Sequence, residues 1–304
     1  MTHCLSIIIP TFNRREKLRR LINSIKYSVT CEYELIVVDD CSNDGTEEMI
    51  RQDFPYIRYF RHDNIQLVAK SRNDGINNSH CEYLFFIDDD NILLPNTAES
   101  LLKLMEDDQS IGVLAPVSCY LDAPNKVMYA GAKFDHFHLT SRFLFVKHDF
   151  LEMSDKIIEI DKAANSYMIR RDAAIEVGLI DYPRYPWLEE DGELIYKIKL
   201  NGYKTLTLGQ ARVLHDVPYD EHINQEKLRE IRPYYLIRSK LFFIKDFSTG
   251  MQKLLGFVFS LSFAYLYYAY LYVLPSRTKR MRMLKALTLG LLDGLVGSEV
   301  LRYL

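Results

Sequence analysis

The sequence predicts an α/β fold, a mostly parallel sheet with helices on both faces, followed by a C-terminal helical extension. Three observations carry that expectation. Short apolar runs closed by turn residues recur through the N-terminal third. Stretches with apolar residues at helical spacing separate them, and strands alternating with helices argue for parallel strands covered on both faces. Near Pro218 the composition changes to charged and tyrosine-rich, then to a long apolar segment.

Residues 5–9 are an apolar run closed by Pro10, as a buried strand requires. Leu18, Leu21, Ile22 and Ile25 then recur at helical spacing. Residues 33–38 (YELIVV) form a second strand ending at Asp39-Asp40, and Asn43-Asp44-Gly45 turns the chain into a helix. Residues 57–60 are a third strand, residues 69–78 a helix, and residues 83–87 (YLFFI) a fourth strand ending in Asp88-Asp89-Asp90. In open α/β sheets ligands bind at the carboxyl ends of strands, and two of those ends here are acidic. Residues 112–167 predict short strands and an irregular loop, then a strand over 166–169 and a helix over 171–177. A helix over 190–201 ends at Gly202, a suitable C-cap. Two short strands, 204–208 and 212–214, lead to His215. The division is therefore 1–217 for the sheet and 218–304 for the extension.

The chain has 304 residues, 48% of them apolar, enough for a sizeable core. Its net charge of -3 gives no global bias toward nucleic acid. Five scattered cysteines (Cys4, Cys31, Cys41, Cys81, Cys119) without CxxC spacing predict reduced thiols and a cytoplasmic setting, not a disulfide framework or a zinc site. The start, MTHCLSIIIPTFNRR, has too short an apolar run for a signal peptide.

Three adjacent carboxylates at a strand end repel one another, and a divalent cation with hard oxygen ligands relieves that repulsion. A solvated acidic turn, or capping of the helix near Pro95, is the plainer alternative. Trp187-Leu188-Glu189-Glu190-Asp191 opens a helix about a hundred residues later. Its carboxylates suit the helix dipole, and equally suit a general base acting on a hydroxyl. His215 is an ordinary histidine on sequence grounds, although imidazole suits manganese and other transition metals.

Four segments in order now carry a resemblance. SIIIPTFNRREKLRRLINSI, LIVVDDCSNDGTEE, AKSRNDGINNSHCEYLFFIDDDNILLP and WLEEDGELIYKIKLNGYKTL resemble the family 2 glycosyltransferases over residues 5–216, roughly 70% of the chain. The resemblance implies the GT-A nucleotide-binding fold and sugar transfer with inversion from a nucleotide-sugar donor, UDP slightly preferred. It places Pro10, Thr11, Asn13 and Arg14 around the nucleotide, Asp40 under the base, and Asp39 in the same loop. Lys70 and Arg72 are the expected nucleotide or diphosphate contacts. Asp89 falls where the ribose is held, Asp90 matches the principal metal ligand, and Asp88 completes the metal shell. His215 matches a further metal ligand, Asp191 the general base, and Trp187 and Glu190 lie on the acceptor side. The implied cofactor is Mn2+ or Mg2+.

Residues 254–274 are a 21-residue stretch without formal charge, long enough to span a bilayer but carrying five tyrosines, which prefer the interface. Arg277, Lys279, Arg280, Arg282 and Lys285 follow without an acid among them, and residues 223–253 hold seven basic residues against three acidic ones. Both flanks therefore prefer the cytoplasm. The expectation is monotopic association with the cytoplasmic face of the cell membrane, by an interfacial helix or a re-entrant hairpin with residues 284–304; a single crossing and soluble packing remain open. Such placement suits a lipid-linked or other glycan-precursor acceptor. For residues 232–240 (RPYYLIRSK), arginines on a lipid phosphate compete with solvated helix charges. Three alternatives to glycosyl transfer stay open: a nucleotidyltransferase, whose glycine-rich phosphate loop PTFNRRE does not supply, a nucleotide-sugar hydrolase, and a non-catalytic sugar-nucleotide-binding protein. Neither the sugar nor the oligomeric state is legible.

Overall fold

The computed structural model describes residues 4–135, 140–163, 165–219, 230–276 and 278–300. In chain order the strands are β1 (Leu5–Thr11), β2 (Tyr33–Asp39), β3 (Arg58–Arg61), β4 (Tyr83–Ile87), β5 (Asn91–Leu93), β6 (Ile111–Tyr120), β7 (Val127–Tyr129), β8 (Ala132–Asp135), β9 (Thr140–Phe143), β10 (Ile157–Glu159), β11 (Ser166–Arg170) and β12 (Lys204–His215). The helices are α1 (Arg15–Ser28), α2 (Thr46–Asp53), α3 (Val68–Asn77), α4 (Thr97–Asp107), α5 (Arg171–Glu176) and α6 (Glu190–Leu200). Three more follow: α7 (Arg232–Phe247), the long apolar α8 (Gly250–Val273) and α9 (Arg280–Val296).

The main sheet runs β3-β2-β1-β4-β11-β6-β12-β10. Its first four strands are parallel, as the sequence predicts. Beyond β4 the expectation of a mostly parallel sheet is corrected. Strand β11 lies antiparallel between β4 and β6, and β10 antiparallel to β12, so the sheet is mixed. Only β6 and β12 restore a parallel pair.

Alternation along the strands divides the core. Ile7, Ile9, Leu35, Val37, Phe85 and Ile87 face α1, α2 and α4, while Ile8, Ile36, Val38, Leu84 and Phe86 face α3, α5 and α6. Each such fully buried side chain contributes roughly 1.5–3 kcal/mol.

The stretch expected to be irregular instead begins with the ten-residue strand β6, buried throughout. The two short strands expected before His215 are one strand, β12, with a register shift between Leu208 and Arg212. The shift falls beside Pro116 of β6, which has no N–H to give the ladder. One pair of cysteines departs from the expectation of free thiols: Cys4 and Cys81 form a disulfide, Cα–Cα 4.9 Å. The parallel register of β1 and β4, Leu5 opposite Tyr83, brings these flanking residues together. Cys31, Cys41 and Cys119 are free.

The C-terminal helices pack on the sheet domain and on one another. Tyr185 donates to Asp246 of α7 at 2.6 Å. Arg238, expected as a lipid-phosphate contact or a solvated charge, is neither. It is fully buried and donates to the carbonyls of Arg184, Pro183 and Ser298 at 2.8–2.9 Å. Helix α9 docks on α7 through small residues, and a Cβ at Gly290 would come within 2.3 Å of the Tyr234 carbonyl oxygen, so only glycine fits. Helix α9 also meets α8, the Tyr265 and Thr288 hydroxyl oxygens lying 2.8 Å apart. Residues 220–229, part of the expected charged helix, Arg277 of the basic cluster, and residues 301–304 lie outside the described residues.

Candidate active site

A cavity of about 1270 Å³ opens at the carboxyl ends of β1, β2 and β4. Pro10, Thr11, Arg14, Asp40, Arg72, Asp88, Asp89, Asp90, Trp187, Glu190, Asp191 and His215 all line it. Segments as distant as β1 and the end of β12 therefore meet at one surface.

The acidic turn is held from several sides. Thr11 Oγ1 donates to Asp89 Oδ2 at 2.7 Å, and Arg14 reaches both Asp89 Oδ1 (3.0 Å) and Asp90 Oδ2 (2.8 Å). Strand β5, immediately after the turn, pairs with the end of β12 so that His215 lies opposite Asn91. This sets His215 Nε2 3.1 Å from Asp90 Oδ1. Asp216, next in the chain, is tied to α1 through Arg20 (2.6 Å) and Lys17 (3.2 Å). Beneath the turn, Asn165 Nδ2 donates to Asn91 Oδ1 at 2.9 Å and its carbonyl accepts from Asp88 N at 2.8 Å.

Arg72 of α3 joins the two acidic segments. It is 2% exposed, and its guanidinium donates to Asp88 Oδ1 (3.0 Å) and Glu190 Oε1 (2.6 Å). Residues more than a hundred positions apart are thereby bridged by one buried cation. The backbone leading into α6 is strained to deliver them: Leu188 and Glu189 both have positive φ, 63° and 87°. The Pro186 carbonyl accepts from Ala69 N at 3.2 Å, fastening this segment to α3.

Electrostatics follow from crowding. Burial pushes Asp89 up to about 7, Arg14 opposing and the Asp90 charge adding to the rise. Burial acts in the same direction on Asp90, but the His215 hydrogen bond and charge, with Arg14 and Lys17, hold it well below the usual carboxylate range. Glu190 rises to about 8 and Asp191 also rises, burial being the main cause of each with Arg72 opposing. A raised carboxyl beside a cavity is a proton acceptor of improved basicity.

Three expected contacts are not on the cavity wall. Asn13 (φ 52°) ties two loops together, its N–H donating to Ser42 Oγ and its Oδ1 accepting from Asn43 N, both at 2.8 Å. Asp39 is fully buried and accepts from Ser42 N (2.8 Å) and Tyr59 Oη (2.5 Å), supporting the loop from below. Lys70 is turned to Asp74, which also contacts His62. Lysine at this helix position faces the flank of α3 because the cavity-facing positions are Ser71 and Arg72. Asp40 is in place, but its oxygens already accept from Gln66 N (2.7 Å), Leu67 N (2.9 Å) and His62 Nδ1 (2.9 Å). Leu67 adopts φ 69° to make its bond.

The sequence had not marked Lys162 or Tyr129, which line the cavity; Glu189 of the acidic segment, and Arg232 and Lys240 at the two ends of the segment 232–240, line it too. Lys162 and Glu189 form an ion pair across it, and Lys162 Nζ also lies 4.4 Å from the Phe243 ring centroid. Nothing local in DKAANS signals this, because the position depends on the antiparallel insertion of β11. Arg232 and Lys240 belong to an α7 periodicity that becomes visible only when α8 packs opposite.

Among the described residues no group of three His, Cys, Asp or Glu side chains is ready to hold a metal ion. Asp90 and His215 offer one oxygen and one nitrogen ligand side by side, and divalent cations commonly take the remainder of their shell from substrate phosphates and water. The donor set fits such a two-residue site.

The family model Glycosyl transferase family 2 matches residues 6–178. An uncharacterized glycosyltransferase of Haemophilus influenzae is 33% identical over 116 residues, 38% of this chain and 39% of that protein. A GalNAc(5)-diNAcBac-PP-undecaprenol beta-1,3-glucosyltransferase of Campylobacter jejuni is 34% identical over 103 residues, 33% of each chain. The chain thus spans well under half the length of these relatives. Among solved structures, S. aureus TarS 1-349 in complex with UDP-GlcNAc superposes with TM-score 0.60 at 16% identity, covering 95% of this chain and 81% of that one. The mannosyltransferase PcManGT of Pyrobaculum calidifontis in complex with GDP-Man and Mn2+ gives TM-score 0.59 at 14% identity, covering 97% and 87%. At such identities the likeness shows the fold alone, which is GT-A-like.

Proposed function

The chain belongs to glycosyl transferase family 2, and from that premise we propose that it moves a sugar from a nucleotide-sugar donor to an acceptor hydroxyl with inversion at the anomeric carbon. The observation that carries this is the buried Arg72 bridge, which holds the strand-end carboxylates and the Glu190-Asp191 pair on one cavity. The donor's base and ribose sit over Asp40, Thr11 and Asp89, with UDP the preferred nucleotide. The acceptor enters from the side of Trp187 and Glu190.

The acceptor oxygen attacks the anomeric carbon while the bond from that carbon to the diphosphate breaks. The electron pair leaves on the diphosphate, and the hydroxyl proton passes to Asp191. Arg14, already directed at the acidic turn, counters charge on the leaving side. Asp90 and His215, with Asp88 nearby, would hold Mn2+ or Mg2+, which when bound neutralises phosphate charge. The complex of the mannosyltransferase with GDP-Man and Mn2+ supports this assignment.

For the acceptor we favour a lipid-linked or other glycan precursor, in keeping with the undecaprenol-linked substrate in the name of the Campylobacter relative. Helix α8 is 24 residues long with mean hydropathy 1.6 and only 18% of its apolar window buried. We place residues 1–217 as the catalytic domain and 218–304 as an extension that lies on the cytoplasmic face of the membrane, Lys279, Arg280, Arg282 and Lys285 meeting anionic headgroups.

The test is thermal stabilisation of the purified chain by UDP-, GDP- and dTDP-sugars with Mn2+ or Mg2+, followed by acceptor-dependent transfer with the best donor. A donor at a hundred times its dissociation constant adds about 2.7 kcal/mol. Absence of stabilisation by every nucleotide sugar overturns the proposal, and full transfer in excess chelator removes the metal from it.

A further inference from the structure

The cavity extends beyond the carboxylates to a wall of different chemistry. On α7, Arg232, Leu236, Lys240 and Ile244 recur every four residues and all line it. Opposite, on α8, Phe259, Phe263, Tyr267 and Leu271 recur every four residues and line it too. The Phe259 and Phe263 rings are stacked with centroids 5.6 Å apart. Two helical stripes, one carrying cations and one aromatic, therefore face a common channel.

Among the described residues neither cation on this wall has an ion pair. Among the described residues Lys240 has no carboxylate within ion-pairing distance, and its Nζ lies 5.3 Å from the Phe259 ring centroid. Glu189, the acid that attracts it, is already paired with Lys162. Burial pushes the Lys240 amine down to about 8. Arg232 lies over the Trp187 ring at 5.7 Å, and its Nε is buried without a hydrogen-bond partner. Cations in an apolar wall are costly to keep unless an anion meets them.

We propose that this channel is the subsite for the lipid phosphate of a lipid-linked acceptor, its phosphate on Lys240 and its hydrocarbon chain between α7 and α8, the reacting hydroxyl being on the sugar which that phosphate carries. The assignment as acceptor rests on the glycosyl-transfer reading above. Charge selects an anion, and the aromatic stripe selects one with a long apolar chain; free phosphate would leave that stripe in water. The exit also fits, because the outer face of α8 exposes Leu254, Val258, Leu266 and Tyr270, a surface suited to a hydrocarbon phase. The lipid would reach Trp187 and the carboxylates from the membrane side while the donor enters over Asp40.

The chain has a single tryptophan, Trp187, and it lines the same cavity, so its fluorescence reports binding. The full-length protein is titrated with farnesyl phosphate, farnesol and inorganic phosphate. Farnesyl phosphate is expected to bind about tenfold tighter than farnesol, as one charge-assisted contact allows, and inorganic phosphate to give no saturation. Lys240→Gln should abolish the preference for the phosphate. Phe263→Ala should weaken both lipids severalfold, and as Phe263 is 65% exposed this variant folds. Equal affinity for farnesyl phosphate and farnesol, or an unchanged preference in Lys240→Gln, overturns the subsite. Lipid-phosphate binding without stabilisation by any nucleotide sugar keeps the subsite and overturns the transfer reading; the reverse pattern overturns the subsite alone.

Discussion

The two walls of the cavity are built on opposite plans. On the sheet side the charged groups hold one another: Arg14 with Asp89 and Asp90, His215 with Asp90, Arg72 with Asp88 and Glu190. On the α7–α8 side the side chains are apolar or aromatic apart from Arg232 and Lys240, and Lys240 has no ion pair among the described residues. Fixed dipoles and charges serve a reaction in which charge develops at a defined point. An aromatic wall serves a long, flexible ligand held by area. The difference teaches that chemistry and substrate choice occupy different elements, the first on sheet edges and the second on the C-terminal helices.

Breaking the polar wall should have the largest effect. Asp191→Asn keeps the shape of the site but removes the proton acceptor, so transfer should fall by about a thousandfold, while stabilisation by the donor persists. Near-normal turnover in a transfer assay would remove Asp191 from that role. Arg72→Met follows. It leaves Asp88 and Glu190 facing one another without their shared cation, and loss of one partner from a buried set costs about 3 kcal/mol. Chemical denaturation should show that loss, together with weaker donor binding because the Glu190-Asp191 segment is no longer fastened to α3.

The apolar wall can be loosened separately. Gly290→Leu drives a side chain into the Tyr234 carbonyl and forces α9 away from α7, an overpacking worth about 1–3 kcal/mol. Its melting temperature should drop by several degrees while the increment given by a nucleotide sugar stays the same. An equal loss of that increment would mean the two walls are not independent.

How far these walls are legible in sequence also differs. The runs SIIIP, LIVV and YLFFI are continuous and buried, and the acidic ends of the last two are visible because parallel order follows from local alternation of strand and helix. His215 beside Asp90 depends on β5 pairing with β12, a contact between residues over a hundred positions apart that no local pattern encodes. The antiparallel β11 is equally hidden, since an apolar strand reads the same in either direction. Strand β12 read as two short strands because its register shifts between Leu208 and Arg212, beside Pro116 of β6. The apolar wall was legible as helices but not as a wall: Arg238 and Lys240 are two residues apart, and only packing sends one to backbone carbonyls and the other to the cavity.

The smallest expected effect lies off both walls, at Glu193 on the buried face of α6. Its Oε2 is buried without a hydrogen-bond partner, and although Lys197 pairs with Oε1 at 2.8 Å, burial pushes the carboxyl up to about 7. The folded chain then holds this proton more tightly than the unfolded chain, whose glutamates titrate near 4.5. Stability from this group is therefore full below about pH 4.5 and is lost as pH rises to about 7, opposite in sign to a salt-bridged carboxylate of depressed pKa. Glu193→Gln removes the proton exchange, so relative to the parent it should gain of order 1 kcal/mol between pH 5 and pH 8. Parallel melting curves of the two proteins at those pH values check this. A constant difference would show that Lys197 already neutralises the buried carboxylate, and that the two residues form an ordinary ion pair.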